Sequence, residues 1–211
     1  MKTIKALAIA IVFAATAAVT SGTAYANNEA SVSHEISLAD INHVVLNNSV
    51  GSIYVSEGEG DYMQLRVEFE GKRSGMLRRV KDVSDVDVTI QERRGVLTVS
   101  FGEKNVEATW YVTMPSVAKL NVDLGVGMAD ISVSATAVVL DVGVGDGKVT
   151  GKLEYAGALN ADVGVGAATI HGGQDVRSNR AIVAETTSGR GNGEYPISVS
   201  VGVGDAGIRL R

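Results

Sequence analysis

The chain has 211 residues, with 19 Lys and Arg against 24 Asp and Glu and a formal net charge of −5. That acidic balance excludes general binding to nucleic acid, which needs a basic footprint. With no cysteine there is no disulfide framework, thiolate metal site or thiol nucleophile, so packing and backbone ladders must hold the fold.

The first 26 residues read as a secretory signal peptide. Lys2 and Lys5 give a positive start, Ala6 to Ala18 form an apolar run broken only by Thr16, and Ala24-Tyr25-Ala26 is a small-x-small cleavage signature, so cutting is expected before Asn27. The run is short for a bilayer span. No later apolar run is long enough, so no transmembrane span is expected after cleavage. The remainder, 27–211, is the size of one domain and carries 17 basic and 24 acidic side chains, a net of −7. Val, Ala, Gly and Ile dominate it, the composition of strands joined by tight bends.

The stretch VVLNNSVGSIYV at 44–55 reads as an isolated relative of a unit that recurs later. YMQLRVEFE (62–70), DVDVTIQ (85–91), GVLTVSF (95–101) and TWYVTM (109–114) alternate with period two and predict strands, with RRG at 93–95 as a hairpin turn. Between them, Met76, Leu77, Val80 and Val83 have helical spacing behind Ser74, which predicts a short helix or structured loop within 71–85. Lys72, Arg73, Arg78, Arg79 and Lys81 make this the one strong cationic cluster. It suits either an anionic headgroup or a solvated loop face. Pro115 marks the junction to the second half.

From there a phrase repeats: LNVDLGVGMADI at 120–131, LDVGVGDGKV at 140–149, LNADVGVGAATI at 159–170 and ISVSVGVGDAGI at 197–208. Each is an alternating strand, a Gly-Val-Gly bend and a second short strand. The first glycines, Gly125, Gly143, Gly164 and Gly202, are separated by 18, 21 and 38 residues. The long interval predicts a degenerate copy around Ile182, Ala184, Glu185 and Thr187-Ser188-Gly189. Such repetition predicts stacking, because no single copy can bury its own apolar row. Leu120, Val122, Leu124 and Val126 point one way on this reading, with Asn121 and Asp123 opposite. The expected core rows are Val122/Leu140/Ala161/Val199 and Leu124/Val142/Val163/Val201.

The same alignment puts Asp123, Asp141 and Asp162 in one solvent-facing line, with Glu185 taking that position in the degenerate copy and Ser200 ending the series. Unit charges about 4.8 Å apart repel by roughly 0.9 kcal/mol in water. A hydrated acidic stripe is one reading; calcium held by Asp123, Asp141 and Asp162 is the other. The Asp-Gly phrases GVGDGKV and GVGDAGI share Asp146 and Asp205, but their spacing is not that of contiguous calcium-binding nonapeptides. No cofactor is implied. Phosphate cradling lacks its Gly-x-x-x-x-Gly-Lys-Ser/Thr loop. His34, His43 and His171 lack metal-ligand spacing, and there is no Gly-x-Ser-x-Gly elbow. Arg177, Arg180 and Arg190 beside the acids keep open a solenoid that binds or cleaves acidic polysaccharide. The chain is otherwise read as no enzyme.

LNNSVGSIYV, TWYVTMPSVAKLNVDLGVGMADISV, the spaced Gly-Val-Gly copies and the closing ISVSVGVGDAGIRLR together resemble a family of exported bacterial proteins known as putative adhesins, or β-strand-repeat proteins of unknown function. The resemblance covers most of 35–211. It implies a β-helix-like solenoid at the cell envelope and carries no catalytic residues. The expected protein is therefore an all-β, single-domain β-solenoid, with an irregular antiparallel region over about 35–115 and stacked repeats over about 116–211. It is expected in the periplasm, at the outer membrane or outside the cell. It would act as a non-enzymatic, adhesin-like surface for a protein or glycan of the envelope. A carbohydrate-binding or carbohydrate-acting solenoid and a calcium-stabilised secreted scaffold are the alternatives. The final strand, ending Ile208-Arg209-Leu210-Arg211, is expected at an open edge, where it either repels strand addition by charge or mediates self-association.

Overall fold

The computed structural model describes residues 28–74 and 79–211. The expected signal peptide and its cleavage site lie outside the described residues, as do Met76, Leu77 and Arg78. Among the described residues there is no helix, and one mixed sheet of 12 strands accounts for nearly all the regular structure.

Five long strands form the parallel block of this sheet: β2 (His43–Glu57), β9 (Lys119–Ser132), β10 (Ala137–Gly151), β11 (Ala156–His171) and β14 (Tyr195–Leu210). Each is bent at its Gly-Val-Gly or Ser-Val-Gly. Gly51, Gly127, Gly145, Gly204 and Gly166 stand in register and all have φ between +130° and +145°. A side chain is strained in that region of backbone space. A Cβ on Gly145 would also lie 1.8 Å from the carbonyl oxygen of Gly127.

The bend folds each strand into two arms that face each other. Leu120, Val122 and Leu124 of the first arm of β9 are buried, as are Ala129 and Ile131 of the second. The interior tapers toward the bend. The first inward position past it holds Ile53, Ala129, Gly147, Ala206 and Ala168, mostly small residues; the next holds Val55, Ile131, Val149, Ile208 and Ile170. A Cβ on Gly147 would sit 3.2–3.3 Å from Leu140, Val199 and Val142, side chains of the opposite arm. Short side chains fit where the arms converge, and branched ones fill the wider part.

The predicted core rows are buried as expected, but the strands do not stack in sequence order. The spatial order is β2-β9-β10-β14-β11. The last strand is inserted between β10 and β11, so Val142 and Val163 are separated by Val201 rather than adjacent. The expectation of an open C-terminal edge is therefore corrected: β14 is paired on both sides, and self-association through it has no free backbone to use. The sheet branches at β2, so its outermost strands are β1 (Glu29–Ser37), β12 (Gln174–Ala181) and β6 (Thr89–Arg93).

The degenerate copy is also different. β12 and β13 (Ala184–Arg190) form an antiparallel hairpin turning at Ile182-Val183, and β13 runs antiparallel to the first arm of β11. Reversal changes the alignment, so Glu185 lies opposite Val163, and Thr186 takes the place beside Asp162.

In the first half, the relative at 44–55 is not isolated. β2 lies directly against β9, while its two arms pair in parallel with β7 (Val96–Phe101) and β8 (Val106–Met114). The antiparallel part is β1 with β3 (Tyr62–Gly71), β3 with β8, and β6 (Thr89–Arg93) with β7. The RRG turn is confirmed: Arg94 and Gly95 have φ of 53° and 75°, the signs a tight hairpin turn needs. Of the short helix or structured loop expected within 71–85, the described residues form no helix but a two-stranded ribbon of β4 (Arg73–Ser74) and β5 (Arg79–Val80), followed by a loop that buries Val83.

Candidate functional site: the outer face at the bend

Register places three columns side by side on the outside of the parallel block. The first is Asn47–Asp123–Asp141–Ser200–Asp162–Thr186. The acids face outward as expected. Ser200 interrupts them rather than ending them, because β14 enters between Asp141 and Asp162. Asp123 and Asp141 are direct neighbours, and partial burial together with the adjacent Asp141 charge raises the Asp123 pKa. Asp162 accepts a hydrogen bond from Asn160 Nδ2. Among the described residues, no three His, Cys, Asp or Glu side chains converge to hold a metal ion. The arrangement brings together one acid pair and a separate acid, not the continuous acidic line expected for calcium.

The second column is made of valines. Val50, Val126, Val144, Val203 and Val165 are in register and are 41%, 48%, 49%, 48% and 47% exposed. The expectation that Val126 continues the buried row fails here. Alternation holds only while the strand is straight, and the bend carries this residue off the core. Val183 extends the column, its carbonyl accepting the Gly166 N–H at 3.3 Å, and Ile182 beside it is 95% exposed.

The third column, beyond the second glycines, is Ser52–Met128–Asp146–Asp205–Ala167. Asp146 and Asp205 are indeed equivalent. The Asp205 N–H donates to Asp146 Oδ1 at 3.2 Å, and the Ala167 N–H donates to Asp205 Oδ1 at 3.0 Å.

Along the acid column runs an open trough of about 740 Å³, lined by Asp123, Asp141 and Asp162 and by Gly125, Gly143, Gly202 and Gly164; the valine column stands one residue beyond these glycines. The glycine positions bear no side chain because none fits. A Cβ on Gly143 would come within 2.5 Å of the Gly125 carbonyl oxygen, and the others are as tight. Close backbone stacking therefore makes the concavity.

Glu185 closes the β11 end of the block. It accepts hydrogen bonds from Arg180 at 2.7 Å, Ser178 at 2.7 Å and the Ala168 N–H at 3.2 Å, and these hold its pKa down at about 2. Thr187 Oγ1 donates to the Ala168 carbonyl at 2.8 Å. Side chains thus satisfy backbone groups of the second arm of β11 where the hairpin does not pair. In the sequence Glu185 reads as the acid of the degenerate copy, and only the reversed direction of β13 turns it into a cap.

The remaining candidates stay dispersed. Arg190 pairs with Asp175 at 2.8 Å, and Arg177 lies on the outermost strand β12. His34 is hydrogen bonded to Asp87 at 2.8 Å, whereas His43 and His171 lie on β2 and β11. Of the basic cluster, Lys72 bridges Glu70 and Glu107 at 2.8 Å each, and Lys81 pairs with Glu103 at 2.6 Å. On the second arm, Tyr54 and Tyr111 stack with centroids 5.5 Å apart, and Arg66 lies 6.0 Å from the Tyr111 ring.

The fold defined by these strands is found in a protein of known structure. The chain is similar to a putative cell adhesion protein from Clostridium sporogenes, with a TM-score of 0.53 and 15% identity over 87% of this chain and 100% of that one. It is also matched to a putative adhesin from Parabacteroides distasonis (TM-score 0.26, 14% identity, 85% and 97% covered) and to one from Bacteroides fragilis (TM-score 0.24, 10% identity, 86% and 97% covered). The first of these shows the shared all-β fold. No protein-family model matches the chain, and no curated protein matches it by sequence. No helix among the described residues is long and apolar enough to cross a membrane.

Proposed function

We propose that this is an exported, non-enzymatic envelope protein with an adhesin-like role, and that the outer face at the bend is its binding surface. On this reading residues 1–26 direct export and are removed before Asn27. Residues 27–211 then form one solenoid-like domain, its rungs being the bent strands. The observation that carries the proposal is the column of five half-exposed valines in register. Apolar side chains repeated at a solvent-facing position mark an interaction surface. The likeness to a structure named as a putative cell adhesion protein supports it. The test is to fractionate cells for the mature protein and to measure retention of the purified protein on isolated envelopes. Residence in the cytoplasm, or absence of retention, would remove the proposal.

A glycan-binding reading is favoured by one feature, the exposed Tyr54–Tyr111 pair beside Arg66. Flat aromatic faces with a nearby charged donor suit a sugar. Binding to a glycan panel that is lost in Tyr111→Ala would support it. The calcium-stabilised scaffold remains an independent proposal resting on the Asp123–Asp141 pair. Its test is a calcium-dependent rise in melting temperature that Asp141→Asn removes.

A further inference from the structure

Resting on the reading of the outer face as a binding surface, we infer that its partner is an extended polypeptide segment in which Lys or Arg alternates with aliphatic residues. The trough has two chemically different sides. One side carries Asp123, Asp141 and Asp162, which line it; on the other, one residue beyond the glycines of its floor, stands the half-exposed valine column. An extended chain sends successive side chains to opposite sides. Laid along the trough, it places every second residue on the acids and the others on the valines. Four strand spacings separate β2 from β11, about 19 Å at roughly 4.8 Å each, which six extended residues span.

Charge selects the occupant. Beyond the valines stand Asp146 and Asp205, so acids flank the apolar column on both sides. The nearby cations are already engaged: Arg180 with Glu185 and the Gly166 carbonyl, and Lys148 with Asp130. Burial first, and then the adjacent Asp141 carboxylate, raise the Asp123 pKa. A second copy of this face, or an anionic lipid surface, would meet acids with like charge. The trough runs across the strands, so a bound segment makes no ladder with the sheet, and recognition rests on side chains.

The probe is a labelled eight-residue peptide alternating lysine with valine, followed by fluorescence anisotropy against the purified protein. A Lys-Ser peptide and a Lys-only peptide serve as controls. Saturable binding of the Lys-Val peptide is expected, with at least about fivefold weaker binding to the Val144→Thr/Val203→Thr protein. Asp141→Asn should weaken binding and flatten its salt dependence. Both variants are at exposed positions, and melting curves establish that they fold. No saturable binding, equal binding of the Lys-Ser or Lys-only peptide, or unchanged affinity in the valine variant would each overturn the inference. Envelope retention by the wild-type protein is measured alongside. Retention without peptide binding would overturn the partner class alone, whereas loss of retention would overturn the binding-surface reading itself.

Discussion

Glu185 and Ala168 are joined across the end of the parallel block by a carboxylate that accepts a backbone amide at 3.2 Å. Arg180 and Ser178 bind the same carboxylate and hold its pKa at about 2, against 4.5 for an ordinary glutamate. A depressed carboxyl stabilises the fold above its unfolded pKa and loses that contribution as pH falls through the folded one. Stability should therefore decline between about pH 4.5 and pH 2. In Glu185→Gln the decline over that window should be shallower, from a lower starting point. Urea melts at stepped pH measure both.

Asp123 behaves in the opposite sense. Its raised pKa means that the ionised form is disfavoured in the folded chain, by burial first and then by Asp141. Asp123→Asn should thus raise the melting temperature at neutral pH and make little difference once pH is low enough to protonate the carboxyl. A variant that is less stable at pH 7 would show that the carboxylate makes a favourable contact instead.

Two glycines two residues apart should respond differently to alanine. Gly145 has φ of +132° and no room beside the Gly127 carbonyl. Gly145→Ala should cost about 2–4 kcal/mol or prevent folding. Gly147 faces the core, where both adjacent strands carry alanine, Ala129 and Ala206. Its Cβ would meet only side-chain methyl groups at 3.2–3.3 Å, so Gly147→Ala should lie within about 1 kcal/mol of the native chain. Chemical denaturation of the pair checks the contrast.

Deleting residues 195–211 should abolish cooperative folding, since β14 is the partner of both β10 and β11. Replacing the hairpin 174–190 by a short flexible linker should leave a folded chain that melts earlier, because only one end of the block loses its cover. Circular dichroism and thermal melts of the two deletions distinguish a central strand from a terminal one. Equal effects would contradict the strand order.

The repeats were legible because identical local rules act in each copy. The glycine pair, the alternation and the buried Val122, Leu140, Ala161 and Val199 follow from sequence alone, as does the outward aim of Asp123, Asp141 and Asp162. Strand order was not legible. Val142, Val163 and Val201 are chemically alike, so nothing local says that Val201 lies between the other two. The doubled 38-residue interval was visible, yet the chain fills it with a hairpin that reverses direction. A reversal moves Glu185 from an expected acid stripe to the capping of Ala168. Val126 was misplaced because a period of two has no meaning across a residue with φ of +141° beside it. For the site, alternation reveals the outward acids but not the half-exposed valines at the bend.

The slot between β10 and β11 has a consequence in time. Until β14 has emerged, those two strands have no partner for each other, and the middle of the hydrophobic wedge stays open. The block cannot close progressively behind a growing or translocating chain; it must wait for its sixteen-residue keystone. Such late, long-range closure is slow, and it leaves the inner faces of both arms open to water until that one strand is in place.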